Sequence, residues 1–62
     1  MKPFRKDLKP GTEVLIIQKN DQLSGVLTTG ILAEILTKSS SHPYGIKVRL
    51  ETGEVGRVQK LN

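Results

Sequence analysis

A strict alternation of apolar and charged side chains over residues 46–51 constrains the fold of this chain more than any other feature. The apolar positions are Ile46, Val48 and Leu50. Successive side chains of a strand point to opposite faces, so the pattern predicts a strand with one buried side and one solvent-facing side. The turn dipeptide Thr52-Gly53 follows, and a second strand-like run covers residues 54–60. The sequence therefore predicts a β-hairpin formed by these two runs.

The apolar positions of the two hairpin strands also predict their register. Pairing Leu50 with Val55 across the turn places both side chains on the core face. Strict alternation would then set a charged residue opposite Val48, whereas one extra residue in the second strand matches Val48 with Val58. We therefore predict a β-bulge at Gly56-Arg57. With that bulge, the outward-facing cations of the two strands become neighbours.

Two further segments have the composition of strands. Residues 12–18 are rich in β-branched side chains. Residues 30–37 permit two interpretations, because their apolar residues also fall at helical spacing. A helix shorter than about 12 residues is weak on its own. We therefore favour a strand with Ile31, Ala33 and Ile35 facing inward.

The remaining segments complete the domain organisation. Residues 19–25 and 38–45 are rich in turn-forming residues and are predicted loops. A chain of 62 residues forms one domain at most. Four or five short antiparallel strands predict an all-β fold, and a small, partly open barrel hides their edges. We assign residues 10–62 to this barrel and residues 1–9 to a flexible basic arm.

The absence of cysteine excludes disulfides and thiolate metal sites. Small secreted domains usually need disulfides, so their absence favours the reducing cytoplasm. The basic N-terminal residues are not followed by the apolar segment of a signal peptide. The longest apolar run, residues 14–17, is too short to span a membrane. We expect a cytoplasmic protein.

The net charge of +4 is concentrated in two parts of the chain. Residues 1–10 carry four basic residues against one acidic residue, and residues 46–62 carry four against two. Such a layout suits a polyanionic partner, although a charge of this size also serves solubility alone. The candidate nucleic-acid-binding residues are Lys47, Arg49, Arg57 and Lys60 of the hairpin, Arg5, Lys6 and Lys9 of the arm, and His42 and Tyr44 of the 38–45 loop.

No combination of residues predicts catalysis or a cofactor. His42 is the only imidazole, and a zinc site would need two or three further ligands that only carboxylates could supply. Residues 25–30 resemble the start of a phosphate-binding loop, but Ile31 stands where the phosphate-binding lysine is required. Glu51 and Glu54 flank an exposed turn, which lacks the burial that acid–base catalysis needs. We expect neither an enzyme nor a bound metal or small-molecule cofactor.

Several motifs together resemble one known family. They are Pro10-Gly11, Val14-x-Ile16, Lys19, Asp21-Gln22, Ser24-Gly25-x-Leu27-Thr28-x-Gly30, His42-Pro43-x-Gly45-Ile46-Lys47-Val48-Arg49-Leu50 and Gly53-x-Val55-Gly56-Arg57-Val58. From about Arg5 onward the chain resembles the YwbE family of small bacterial and archaeal proteins. No function is assigned to that family, so this resemblance implies a family and not an activity. A weaker similarity to the KOW and SH3-like barrels of ribosomal and transcription proteins implies a barrel of that kind and modestly favours RNA binding.

The sequence leaves two functions open. The first is a small, non-catalytic binding module for RNA or the ribosome that acts through the basic strand face. The second is a protein-interaction module that uses barrel grooves or sheet edges, with Leu27, Leu32 and Leu36 as its apolar surface. Phe4 and Tyr44 are the only aromatic residues, so RNA contacts would go mainly to phosphate and shape. In either case we expect a monomer.

Overall fold

Four antiparallel strands close into a barrel in the computed structural model, which describes residues 2–62. The strands are β1 (Glu13–Gln18), β2 (Thr28–Ile35), β3 (Lys47–Leu50) and β4 (Val55–Leu61). Each strand pairs with the next one along the chain, and β4 returns to pair with β1. The predicted all-β fold and small antiparallel barrel are confirmed. The barrel is closed where the sequence suggested a partial opening, because β1 pairs on both of its sides.

The β3–β4 hairpin has a register that differs from the predicted one. Arg49 pairs with Val55, and Val48 pairs with Gly56, with no irregularity between the two strands. The predicted bulge at Gly56-Arg57 and the predicted pairing of Leu50 with Val55 are therefore wrong. The physical reason is that the buried position at the start of β4 is Gly56, whereas Val55 before it is only half-buried. A Cβ atom at position 56 would lie 2.5 Å from the Ile17 carbonyl oxygen, so this inward position has no room for a side chain.

Two bulges do occur, but in other strand pairs. Ala33 is an extra residue in β2 relative to β3, and Gln59 is an extra residue in β4 relative to β1. The choice of strand over helix for residues 30–37 is confirmed, since β2 runs through Ile35. Of the predicted inward set, Ile35 does pack against the core, whereas Ala33 is exposed and the fully buried residue is Leu32 instead. The bulge at Ala33 lets Ile35 pack against the core although it lies three positions after Leu32.

The core lies inside the barrel and consists of aliphatic side chains. Its members are Leu8, Val14, Ile16, Leu32, Ile46, Val48, Leu50 and Val58. Each fully buried side chain of this kind contributes roughly 1.5–3 kcal/mol by its removal from water. The alternation of residues correctly predicts which residues of β3 are buried. Because successive side chains of a strand point to opposite faces, the cations of the same strand lie on the outside.

The N-terminal segment packs against the barrel from Arg5 onward. Residues Arg5–Asp7 form one 3-10 turn, and the Arg5 backbone N–H donates to the Ser40 carbonyl oxygen at 2.9 Å. Leu8 is buried in the core, so the packed part of the chain begins before Pro10. The flexibility assigned to residues 1–9 stays a prediction. No helix within residues 2–62 is long and apolar enough to cross a membrane.

Candidate nucleic-acid interface

A row of side chains crosses the outer face of three neighbouring strands. Arg57 lies in β4, the middle strand of the three. It pairs with Lys47 of β3 on one side and with Ile17 of β1 on the other. These three positions alternate with buried ones in their strands, so their side chains share the outer face. Arg49 lies on this face as well, diagonal to Arg57, because its direct partner is Val55. Lys47, Arg49 and Arg57 thus lie on one face of the barrel.

Arg57 is the most firmly held cation of this face. Its side chain is partly buried, and Nη1 donates to the Gly45 carbonyl oxygen at 3.0 Å. A guanidinium group has five N–H donors, so this single bond orients the group and leaves other donors for a ligand. The bond is to a neutral carbonyl, and the positive charge of Arg57 is therefore not compensated there.

Arg49 has a different environment from Arg57. Its Nη1 forms an ion pair and hydrogen bond with Oε1 of Glu34, and the two side chains are 46% and 58% exposed. This is the single ion pair that occurs within residues 2–62. Because the bulge at Ala33 places Glu34 opposite Arg49, the sequence pattern gave no sign of the pairing. Glu34 therefore largely balances the charge of Arg49, whereas Lys47 and Arg57 have no ion-pair partner within residues 2–62.

Two adjoining depressions form one groove beside the row. The first, of about 420 Å³, is lined by Ile17, Lys19, Gln22, Lys47, Val55, Gly56 and Arg57. The second, of about 280 Å³, is lined by Lys2, Ile17, Gln22, Tyr44 and Gln59. Ile17 and Gln22 line both, so the depressions adjoin each other, and we call their combined surface the cationic groove. Four of its lining residues are basic and none is acidic.

Tyr44 stands at one end of the cationic groove on a hydrogen-bonded turn. The Tyr44 side chain is exposed, which excludes the alternative that it fills the core. Nδ1 of His42 accepts a hydrogen bond from the Tyr44 backbone N–H at 3.1 Å, and the two ring centroids are 5.9 Å apart. The Tyr44 carbonyl oxygen accepts from Nε2 of Gln59, also at 3.1 Å. His42 therefore acts locally as a support of the turn that carries Tyr44.

The other predicted basic residues lie away from the cationic groove. Nε of Arg5 donates to the Thr37 carbonyl oxygen at 3.0 Å, and the Lys6 ammonium lies 5.8 Å from the centre of the Phe4 ring. Lys9 is exposed near the start of the barrel, where its carbonyl accepts from the Thr12 backbone N–H. Lys60 pairs with Leu15 and lines a further depression with Phe4 and Asp7, which shares only Lys2 with the cationic groove. The sequence-predicted set thus divides into a groove group and a peripheral group.

The structure adds groove residues that sequence reasoning missed. Lys2, Lys19 and Gln22 come from segments outside the hairpin, and Ile17 supplies an apolar floor. Lys19 follows directly after β1, and it belongs to the motifs that carry the family resemblance, although the sequence did not mark it as a site residue. The positions of Lys2 and Gln22 depend on how the connecting segments fold over the barrel, for which the residue pattern holds no signal.

No three His, Cys, Asp or Glu side chains within residues 2–62 converge as metal ligands. The Thr52 hydroxyl donates a hydrogen bond to the Glu54 carboxylate. This bond, together with one from the backbone N–H of Glu54, lowers the pKa of that carboxyl group. A lowered pKa keeps Glu54 ionised at neutral pH, which suits a solvated turn and not a proton donor.

The fold and this surface define a class of protein: a small closed β-barrel with a cationic groove on its outer face. Comparison with known sequences places the chain more narrowly. The family described as "Uncharacterized conserved protein (DUF2196)" matches residues 1–61. The chain is also 51% identical over 57 residues to the uncharacterized protein YwbE of Bacillus subtilis (strain 168), covering 92% of this chain and 88% of that protein. The chain belongs to this YwbE family, as the sequence motifs predicted. No solved structure matches it.

Proposed function

We propose that this protein is a non-catalytic nucleic-acid-binding module of the cytoplasm, acting as a monomer on RNA or on an RNA-containing assembly such as the ribosome. The observation that carries the proposal is the cationic groove, in which Lys2, Lys19, Lys47 and Arg57 surround an apolar floor with no acidic lining residue. Like charges placed side by side on a sheet destabilise it. A row of phosphates supplies the missing counter-charge.

The pairing of Lys47 with Arg57 supports the same conclusion. These residues are directly opposite each other in the hairpin, and neither takes part in the ion pair between Arg49 and Glu34. Arg57 is already oriented by its bond to Gly45, so a phosphate meets a guanidinium of fixed position. Arg and Lys side chains arranged in this way bind phosphate oxygens through charge-assisted hydrogen bonds.

The test is a titration of fluorescently labelled RNA, followed by anisotropy at several salt concentrations. With three or four phosphates neutralised, log K against log salt has a slope of about −2 to −3 on a single strand. Lys47→Ala weakens binding to all sequences alike and makes the slope shallower by about 0.7. Arg49→Ala has a smaller effect, because Glu34 already balances that charge.

Lys9→Ala is the matched control, since Lys9 is exposed, lies near the start of the barrel and is not among the groove residues. It removes the same charge from a different part of the surface. Binding that is independent of salt, or that weakens equally in Lys9→Ala and Lys47→Ala, contradicts a site in the cationic groove. Absence of binding at low salt removes the proposed function altogether.

A second candidate function, protein binding, is favoured by one observation on the 22–27 loop. Leu23 is fully exposed and Val26 and Leu27 are also exposed, although the loop is held by a hydrogen bond from the Gly25 N–H to the Asp21 carbonyl at 2.8 Å. Exposed apolar side chains on an ordered loop suit a protein contact. On this hypothesis a specific protein partner still binds after nuclease treatment. Changing Leu23 and Val26 to Ser then abolishes binding of that partner and leaves the affinity for RNA unchanged.

The surface for such a contact differs from the predicted one. Leu32 is fully buried and Leu36 is half-buried, so of the three predicted leucines only Leu27 is exposed. The four described strands pair in a closed ring. This arrangement does not favour addition of a partner strand at a sheet edge.

A further inference from the structure

We infer that the cationic groove takes a single strand of nucleic acid, with one unpaired base stacked on Tyr44 and the adjoining phosphates on Arg57, Lys47 and Lys19. This inference rests on the proposed function and makes it more specific. It follows from how Tyr44 is presented, from how its turn is tied to Arg57, and from the concave shape of the surface between them.

The presentation of Tyr44 is the first observation. Its side chain is 71% exposed, although an aromatic ring carries a large apolar surface that packing would normally bury. The turn beneath the ring is nevertheless held in place: the Gly45 backbone N–H donates to the His42 carbonyl at 3.0 Å, and Gly45 has a φ of +99°. The ring is therefore exposed on a fixed backbone, as a stacking platform must be.

The link between the turn and β4 is the second observation. Two consecutive carbonyl oxygens of the turn are each bonded by a β4 side chain: that of Tyr44 by Gln59 at 3.1 Å, and that of Gly45 by Arg57 at 3.0 Å. The aromatic ring and the guanidinium are thus connected through adjacent residues of one turn. This arrangement fixes the spacing between a stacking surface and a phosphate-binding group, which are the two functions that each nucleotide requires.

The groove favours a single strand over a duplex. In a duplex the bases are stacked on each other, so their faces are closed to a protein ring, and double-stranded RNA is recognised largely by shape and backbone. Ile17 lies between Tyr44 and Lys47 as an apolar lining residue of both depressions. A base splayed out of a single strand can cover such a surface, whereas a phosphate backbone alone cannot.

The intrinsic fluorescence of Tyr44 is a probe for this inference. Tyr44 is the only tyrosine, and there is no tryptophan, so intrinsic fluorescence reports on this ring alone. We expect quenching that saturates with a short single-stranded RNA. An abasic strand of the same length, or inorganic polyphosphate, offers the same charge without bases and leaves the fluorescence largely unchanged.

Substitutions at position 44 separate the ring from its hydroxyl group. Tyr44→Phe keeps the ring and binds single-stranded RNA within about twofold of the original chain. Tyr44→Leu removes the ring and weakens that binding about 5- to 150-fold, the range for loss of one stacked base. Its affinity for the abasic strand and its salt slope stay the same. Circular dichroism checks that both variants fold, as expected for an exposed position.

The outcomes distinguish the inference from the function on which it rests. Failure of every nucleic acid to bind overturns both. Salt-dependent binding that requires Lys47, but is unchanged in Tyr44→Leu or equally tight for a duplex of the same length, overturns the single-strand inference and leaves the function standing. Quenching by RNA together with a selective loss in Tyr44→Leu supports the inference.

Discussion

Gly45 and Gly53 offer a direct test of how tightly the 42–45 turn packs on β4. Both glycines have nearly the same positive φ, +99° and +100°, so alanine introduces similar backbone strain at either position. They differ in their surroundings. A Cβ atom at position 45 would lie 2.3 Å from the Val58 carbonyl oxygen, whereas one at position 53 would meet nothing within 4 Å.

The magnitudes follow from these two terms. Left-handed backbone in a residue with a Cβ costs about 1–2 kcal/mol, and this is the whole expected loss for Gly53→Ala. At position 45 the turn must also move away from β4, close to where the Val58 N–H donates to the Ile46 carbonyl at 2.9 Å. Overpacking of this kind costs about 1–3 kcal/mol more. Gly45→Ala therefore loses about 2–5 kcal/mol, against a total of roughly 3–9 kcal/mol for a chain of this size.

Urea unfolding followed by circular dichroism measures both losses, with the free energy of unfolding extrapolated linearly to water. We expect a clearly lower midpoint for Gly45→Ala than for Gly53→Ala. Because the Gly45 carbonyl also orients Arg57, the folded fraction of Gly45→Ala binds RNA more weakly as well. Equal destabilisation by the two substitutions would refute the close approach of the turn to β4.

Three further predictions concern the core, the surface ion pair and the turn. Leu32→Ala lowers the free energy of unfolding by about 2–5 kcal/mol in urea unfolding, and a loss typical of a surface position would contradict the burial of Leu32. A double-mutant cycle of Arg49→Ala and Glu34→Ala gives a coupling of about 0.2–1 kcal/mol that fades with salt; a larger, salt-independent value would contradict an exposed pair. Thr52→Ala raises the pKa of Glu54 in an NMR titration, because the hydroxyl bond that lowers it is lost. Since that pKa is lowered in the folded chain, the Glu54 carboxylate stabilises the fold at pH values above its ordinary pKa. This contribution disappears as the pH falls through the pKa of the folded chain. An unchanged Glu54 titration in Thr52→Ala would show that Thr52 is not the cause of the lowered pKa.

The sequence predicted the strands better than their register. Alternation in β3 identifies Val48 and Leu50 as core residues, because each has an apolar side chain on the buried side. The same rule fails in β4, where the buried position next to β1 is Gly56 and has no side chain for a hydropathy pattern to detect. The bulge at Ala33 has no sequence marker either, since alanine is common in exposed and buried strands alike.

The candidate site was predictable only in part, for the same reason. Lys47 and Arg57 belong to one hairpin and were both expected on its outer face, but Arg57 only through a bulge that does not occur; the observed register sets the two directly opposite each other. Lys19 joins them only after the barrel closes and brings β1 beside β4. The neutralisation of Arg49 by Glu34 depends on the register between β2 and β3. Contacts between residues far apart in the chain are not encoded in local periodicity.

Because Gln59 is an extra residue in β4 relative to β1, β4 can lose one residue without a change in which of its side chains face the core. Val58, before Gln59, pairs with Ile16, and Lys60, after Gln59, pairs with Leu15. Deletion of Gln59 alone would therefore give a ladder without a bulge, in which Val58 and Lys60 keep their present orientations. Deletions within a strand normally invert every side chain beyond them. Here a chain without Gln59 would keep the barrel and lose the amide that donates to the Tyr44 and Arg57 carbonyl oxygens, so the support of the Tyr44 turn could change while the core stays the same.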